Sequence, residues 1–164
     1  MLMKILLGLV LAAVLGTVAL VVYARLRPLD PAALMADATA PGFVPPGRDG
    51  AAFCAPAGAP VSLAPGELAA LDAVAVGWPR TTRLAGSVAE GRIAWVTRSR
   101  LIGYPDVTTA QIVGTGEAAR LCLVARQVIG QADMGVNGAR LRAWIRAVAG
   151  LDTAPDLVWQ PPAQ

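Results

Sequence analysis

A chain of 164 residues has room for one domain of ordinary size. Its 14 basic and 11 acidic residues leave a net charge of only +3, which does not supply the concentrated basic face that nucleic-acid binding requires. The chain has no histidine, so the usual general base and the commonest metal ligand are both missing.

The first predicted element is a membrane-spanning helix. Residues 5–22 form an uncharged, mostly aliphatic run, and Tyr23 and Ala24 extend it to about 30 Å of helix, the thickness of a bilayer core. We therefore expect residues 1–24 to be a transmembrane anchor. A signal peptide cleaved after Ala24 is the alternative, but the apolar region of such peptides usually spans only about 7–15 residues.

The residues that flank this helix leave its orientation nearly undecided. Lys4 precedes the apolar run and Arg25 and Arg27 follow it, so the positive-inside rule is close to a tie. Small residues recur at steps of three or four along one helix face, a pattern that favours contacts between membrane helices. Ordinary anchor composition explains these residues equally well: Gly8, Ala12, Gly16 and Ala19.

Residues 25–61 are predicted to form a tether between the helix and a folded domain. Seven of the chain's 13 prolines lie here, and proline disfavours both helices and central strands. Apolar residues such as Leu34, Phe43 and Phe53 indicate that parts of the tether lie against the domain surface.

Two predicted helices frame the domain, which we place at residues 62–151. Apolar residues recur at helical spacing from Leu68 to Ala75 and predict the first helix. The second is predicted to begin at a cap formed by Asn137 and to end at Gly150. The remaining residues, 152–164, are predicted to be a loose tail.

Between the helices, the sequence predicts three or four antiparallel strands. They are expected at residues 81–89, 92–101, 107–113 and 119–128. The resulting α+β fold has an N-terminal single transmembrane helix, followed by a small antiparallel sheet with two helices packed on one face.

The two cysteines exclude two common kinds of site. Cys54 and Cys122 are far apart and form no C-x-x-C pair, which argues against a zinc site or a thioredoxin-like motif. We expect Cys122 in or beside the core and Cys54 in a loop. This favours two separate thiols over a disulfide, although the sequence does not decide whether they pair.

Alternation along the strands sorts four arginines onto one face of the predicted sheet. Arg98 and Arg100 share a face of one strand, and Arg120 and Arg126 share a face of another. The opposite sides of both strands are more apolar and should lie under the helices. We therefore expect the four arginines to gather on the face that no helix covers.

Two stretches of the chain echo each other, because each brings arginine up to a Gly-x-x-Asp step. The first is residues 98–106, and the second is residues 126–137, with Arg140 one helical turn further on. Over about residues 79–151 the pattern resembles an uncharacterised bacterial and chloroplast family, the domain-of-unknown-function family numbered fourteen ninety-nine. The resemblance implies a fold unit and no activity.

The resemblance also implies which residues to examine and where the protein resides. Where relatives often have Arg-Ser-Arg, this chain has Ala125-Arg126-Gln127, so one arginine is missing. A short N-terminus, a helix and then a domain look like the exported members of the family. This implies a single-pass protein of the bacterial inner membrane with a periplasmic domain. The candidate binding residues at motif positions are Arg98, Arg100, Asp106, Arg126, Asp133, Asn137 and Arg140.

These residues are open to two roles, of which we favour the structural one. Asp106 and Asp133 would end two strands and hold neighbouring arginines through bidentate pairs. Arg140 lies in the first turn of a helix, where the dipole disfavours a cation, and Asp133 is its nearest carboxylate in sequence. In the alternative role, surplus arginines bind an anionic ligand such as a phosphate, a carboxylate or a lipid headgroup. A protein partner docking on the same face is a third interpretation.

We expect the protein not to be an enzyme. Ser99 has no histidine to activate it, and arginines beside the aspartates would make them poor general acids, although an enzyme that uses carboxylates alone is left open. No cofactor and no metal are expected. The sequence predicts a membrane-anchored, non-catalytic binding or scaffolding module of the cell envelope, in contact with the lipid bilayer. The alternative is an accessory subunit of a larger inner-membrane protein complex.

Overall fold

A computed structural model describes residues 1–56 and 58–160. Its first helix, α1 (Leu2–Leu26), is long and apolar enough to cross a membrane, with a mean hydropathy of 2.9 over its most apolar 18 residues. A signal sequence near an N-terminus would share these properties. Almost every α1 side chain is exposed, whereas Ala24 is fully buried. The helix therefore meets the rest of the chain at its C-terminal end, and a short helix α2 (Pro31–Leu34) follows it.

A five-stranded antiparallel sheet forms the centre of the domain. Across the sheet lie the first, fifth, fourth, third and second strands of the chain, so the last four form a meander and the first extends the edge next to the fifth. This confirms the predicted α+β fold, with five strands instead of three or four. The strands are β1 (Gly50–Phe53), β2 (Thr81–Ser87), β3 (Arg92–Arg98), β4 (Pro105–Val113) and β5 (Arg120–Gln127).

Two helices, α3 (Leu68–Gly77) and α4 (Val136–Ala149), cover one face of the sheet, which we call the helix face. Alternation along β3 and β5 brings Trp95 and Leu123 to this face, where both are fully buried in one apolar cluster with Trp144 of α4. The rings of Trp95 and Trp144 meet edge to face, with centroids 5.7 Å apart. The prediction that both helices pack on one face is confirmed.

The start of α4 differs from the prediction. Asn137 was expected to cap this helix, but it lies inside the first turn and is fully buried. The cap position is Gly135, whose φ of 82° lies in the left-handed region that glycine tolerates best. The Asp133 carboxylate accepts hydrogen bonds from the backbone N–H groups of Gly135 (2.8 Å) and Asn137 (2.9 Å). Asp133 thus satisfies free N–H groups at the start of α4 and supplies the capping carboxylate or amide that was expected from Asn137.

The other face of the sheet is covered by the tether, which corrects the expectation of an uncovered face. The backbone N–H of Ala36 donates to Thr109 Oγ1 (3.1 Å), and that of Ala38 donates to Gln111 Oε1 (2.8 Å). The Gln111 side chain in turn donates to Asp37 Oδ1 (3.0 Å). We call this side of the sheet the tether face.

The end of the tether supplies the strand that was not predicted. β1 pairs with β5 and buries Phe53 in the core, and the next residue, Cys54, reaches Cys122 on the tether face. Their Cα atoms are 4.3 Å apart and the two residues form a disulfide. The preference for separate thiols is therefore wrong, because only the pairing of β1 with β5 brings these cysteines together.

The segment predicted as a loose tail returns to the same corner of the sheet. Cys54 N–H donates to the carbonyl of Val158 (2.6 Å), and Gln160 N–H donates to the carbonyl of Cys54 (2.7 Å). The ring of Trp159 packs against Phe43 of the tether, with centroids 5.4 Å apart. These contacts attach residues 158–160 to β1. The last part of the predicted tail, residues 161–164, lies outside the described residues, as does residue 57 of the predicted tether.

Candidate functional site

Arg140 lies at the centre of the predicted site, and its guanidinium is paired. The residue is only 4% exposed, and because α4 begins at Val136 it lies in the second turn of the helix and not in the first turn as expected. Its Nη1 donates to Asp106 Oδ2 at 3.3 Å, and its Nη2 donates to Thr108 Oγ1 at 3.4 Å and to Asn137 Oδ1. The guanidinium carbon lies 6.0 Å from the centroid of the Trp144 ring. The buried cation is therefore held from β4 and from its own helix.

The expected pair between Asp133 and Arg140 is corrected by this geometry. The ion pair forms with Asp106 instead, because Thr108 and Asp106 point from β4 to the helix face directly under α4. The Asp133 carboxylate accepts a hydrogen bond from the backbone at the N-terminus of α4. It interacts with Arg140 only through charge attraction at longer range.

Burial and neighbouring charges move the pKa values of these groups in opposite directions. Burial raises the pKa of Asp106 and the Asp133 carboxylate adds to the rise, while Arg140 opposes it. Burial would also raise the pKa of Asp133, but hydrogen bonds from the backbone of Gly135 and Asn137 outweigh it and lower the pKa. Burial lowers the pKa of Arg140, although a guanidinium stays protonated at neutral pH. The arrangement favours the structural role that we predicted, in which aspartates hold neighbouring arginines, and we call the Asp106–Arg140 pair the clamp.

Arg98 serves a different purpose on the tether face. Its Nη1 donates to the carbonyl of Ala24 (2.8 Å) and to the carbonyl of Gly103 (3.1 Å). Ala24 is the last residue of the apolar run, and its carbonyl lies in the final turn of α1. Arg98 therefore joins the end of the apolar helix to the loop between β3 and β4.

The side chain of Arg25 makes the same connection from the helix side. Its Nη2 and Nε donate to the carbonyls of Leu101 (3.3 Å) and Ile102 (3.5 Å). It lies across Gly103, where a Cβ atom would come within 2.7 Å of the Arg25 Cγ, and where φ is +90°. Glycine is required at this position both by the close approach and by the left-handed backbone.

The remaining two candidate residues lie apart from these contacts. Arg126 is on the tether face of β5, and its Nε is buried without a hydrogen-bond partner among the described residues. Arg100 was expected to share a face with Arg98, but β3 ends at Arg98, so strand alternation does not continue to Arg100. Its side chain is exposed in the loop, and within residues 1–56 and 58–160 it has no hydrogen-bond or ion-pair partner.

The seven predicted residues thus fall into separate groups. Four lie at the N-terminal end of α4, on the helix-face side of the sheet. Two lie on the tether face, and Arg100 lies in a loop. Arg126 lies across the sheet from the first group, so no single ligand could contact all seven, although Arg98 also lines a groove beside the first group. The first group is Asp106, Asp133, Asn137 and Arg140, and the second is Arg98 and Arg126.

A groove of about 520 Å³ opens beside the first group, and we call it the anchor-end groove. Its walls include Trp78, Arg80 and Arg100, and the Asp106–Arg140 pair also lines it. Arg80 Nε donates to the carbonyl of Arg98 at 2.9 Å, and the Arg80 and Arg100 side chains are both exposed. Because Asp106 is already paired with Arg140, the groove carries an excess of positive charge suited to an anion.

Sequence reasoning missed three residues that organise this end of the protein or its tether. Arg25 was considered only for membrane orientation, and no local pattern marks Arg80. Asp37 could have been found, because Asp-x-Thr is typical of an Asx turn. Its carboxylate accepts from the hydroxyl (2.6 Å) and backbone N–H (2.9 Å) of Thr39, and with Gln111 these bonds lower its pKa to about 2.

Neither metal chemistry nor comparison with known proteins assigns an activity. In the part of the chain that the structure describes, no three His, Cys, Asp or Glu side chains are grouped so that they could hold a metal ion. Comparison of the chain with family models, curated proteins and solved structures found no match. The resemblance to the family numbered fourteen ninety-nine stays a prediction.

Proposed function

We propose that this protein is a single-pass, membrane-anchored module of the bacterial cell envelope that binds or scaffolds without catalysis, with its domain in the periplasm. The observation that carries the proposal is the disulfide between Cys54 and Cys122. Disulfides persist in oxidising compartments such as the periplasm and are rare in the cytosol. This one joins the tether to β5 and lies apart from the groove, which favours a structural role.

The docking of α1 supports a retained anchor over a cleaved signal peptide. Cleavage after Ala24 would remove the carbonyl that accepts from Arg98 at 2.8 Å. Arg25 would then become a mobile N-terminal residue, and its two hydrogen bonds to the β3–β4 loop would be weakened. These contacts form in full only while the helix stays attached, so they favour a retained anchor.

The chemistry of the groove supports binding. It offers two exposed guanidinium groups, on Arg80 and Arg100, and these can attract an anion but cannot act as a base at neutral pH. The carboxylate of Asp106 beside them is engaged by Arg140. A ligand held in this groove would be recognised by charge.

Topology and thiol chemistry test the proposal together. Alkaline phosphatase fused after Gln164 should be active, and a green fluorescent protein at the same site should be dark. In isolated membranes dissolved in a denaturing detergent, which exposes the two buried cysteines, a maleimide should label Cys54 and Cys122 only after reduction. An inactive phosphatase, a fluorescent green fusion and freely labelled cysteines would place the domain in the cytoplasm and contradict the proposal.

The second candidate function is an accessory subunit of a larger membrane complex. The small residues along one face of α1 favour it, since Gly8, Ala12, Gly16 and Ala19 would let a second membrane helix approach closely. Purification in mild detergent followed by mass analysis should return a fixed set of companions for a subunit and a lone chain for a module. The variant Gly8→Leu/Gly16→Leu should lose such companions, whereas Val10→Leu/Val14→Leu, on the opposite side of the helix, should keep them.

A further inference from the structure

We propose that one end of the domain lies on the membrane surface, where exposed apolar side chains enter the lipid and arginines bind lipid phosphate groups. We call it the anchor end, and it consists of the loops at residues 99–104 and 128–135 with the anchor-end groove. The inference rests on the proposed membrane anchor and adds which surface meets the bilayer and what that surface recognises.

The position of the anchor end relative to the membrane follows from the contacts that dock the end of α1. The apolar run fills about 30 Å and ends at Ala24, so Ala24 lies at the boundary of the hydrocarbon core. Arg98 and Arg25 hold this point of the helix against the β3–β4 loop. The loop therefore lies at headgroup level. Tyr23, exposed in the last turn of α1, is a residue type enriched at that level.

Large apolar side chains are exposed at this end of the domain. Met134 is 94% exposed and Leu101 is 81% exposed, more than any other large apolar side chain among residues 27–56 and 58–160. The two belong to different loops, which face each other across a second groove lined by Ser99, Tyr104 and Met134. Exposed apolar side chains at the tips of neighbouring loops are costly in water and favourable at a lipid interface.

Exposed side chains of opposite charge also lie at the two ends of the sheet. Arg80 and Arg100 line the anchor-end groove, whereas the turns at the opposite end expose Glu90 and Glu117. Arginine can extend its guanidinium to phosphate while its stem stays among apolar groups. An anionic bilayer would therefore attract the anchor end and repel the other. Because the groove adjoins the docked end of α1, we assign the phosphate to lipid headgroups and not to a free anion.

Bromine quenching of added tryptophans measures the depth of the loops. The full chain is reconstituted in vesicles of phosphatidylglycerol and brominated phosphatidylcholine, and Leu101→Trp and Met134→Trp are compared with Val88→Trp. Val88 is an exposed valine in the β2–β3 turn at the opposite end. The first two variants should add fluorescence that the brominated lipid quenches, and the third should add fluorescence that it does not quench. Equal quenching in all three, or none at the two loops, would overturn the inference.

Lipid retention tests the arginines. Arg80→Gln/Arg100→Gln should retain phosphatidylglycerol about thirtyfold more weakly than the parent in native mass spectra, and Arg146→Gln should match the parent. Arg100→Gln alone should lose about fivefold, which keeps the test valid if the double variant fails to fold. Inorganic phosphate should not displace the lipid. Displacement by phosphate, or full retention by Arg100→Gln, would refute the headgroup assignment.

Alkaline carbonate extraction separates the two proposals. If carbonate releases the chain from membranes, the membrane anchor fails and this inference fails with it. If the chain resists carbonate but Leu101→Trp and Met134→Trp are not quenched, the anchor stands and the inference alone is wrong.

Discussion

Removing the Asp106 carboxylate should destabilise the domain more than any other single change at the candidate site. Asp106→Ala leaves the guanidinium of Arg140 without its ion-pair partner, although that side chain is only 3% exposed. A buried charge that loses its partner typically costs 3–5 kcal/mol of unfolding free energy. We expect about 3 kcal/mol, the lower end, because Thr108 and Asn137 still accept hydrogen bonds from Arg140.

The ring of Trp144 provides the assay. It lies 6.0 Å from the Arg140 guanidinium carbon, so near-ultraviolet circular dichroism and tryptophan fluorescence report on the clamp directly. For a chain of this size, a loss of 3 kcal/mol lowers the melting temperature by roughly 10 °C. The measurement is made on the full chain in detergent micelles.

Asp133→Ala is the matched control, since it removes a carboxylate from the same helix end. It should cost only about 1 kcal/mol, the typical value of a lost helix cap. Combining Asp106→Ala with Arg140→Met should cost less than the sum of the single changes, because the double variant has no unpaired charge. If Asp133→Ala proves more damaging than Asp106→Ala, or if the two changes simply add, the clamp is assigned to the wrong pair.

Three further predictions concern the tether and the loop at α1. The pKa of Asp37 falls from 3.8 to about 2 on folding, so its stabilisation is present above pH 3.8 and lost as the pH falls towards 2. Because the Asp37 side chain is 43% exposed, this stabilisation amounts to about 1 kcal/mol of unfolding free energy. An acid titration of the Asp37→Asn variant should show no such loss of stability. Replacing Cys54 and Cys122 with alanine should cost about 4 kcal/mol in a denaturant titration, because their loop is long. Gly103→Ala should cost about 1–2 kcal/mol and expose the junction at Arg25 to protease, while Gly47→Ala should cost little.

The periodic part of the fold could be predicted from the sequence. The alternation in β3 and β5 was enough to place the apolar sides of both strands under the helices, and these sides carry Trp95 and Leu123. Short-range apolar patterns determine these positions, because burial of large side chains provides most of the driving force. Strand β1 has no such pattern, since Gly50–Phe53 is a short edge strand stabilised mainly by its partner.

The packing of the tether against the tether face could not be predicted for a related reason. Prolines show that a segment is not helical, but they do not show where it lies. The attachments of the tether include single hydrogen bonds from Ala36 and Ala38 to polar side chains of β4, and neither alanine gives any sign of such a contact. The same limit applied to Arg140, whose nearest carboxylate in sequence is Asp133 while its partner, Asp106, lies 34 residues away.

The two motif stretches are best understood as one structural unit and not as a ligand site. Asp106 ends the first stretch and pairs with Arg140 beyond the second, and the strands that carry the two stretches into the sheet are hydrogen-bonded neighbours. The Asp133 side chain is hydrogen-bonded to the start of α4, and the Arg98 side chain is hydrogen-bonded to the end of α1. A sequence pattern that preserved this unit would preserve the attachment of the domain to its helix. Among the motif residues, Arg100 stays outside these contacts and is exposed beside the groove, so its guanidinium is available to a ligand.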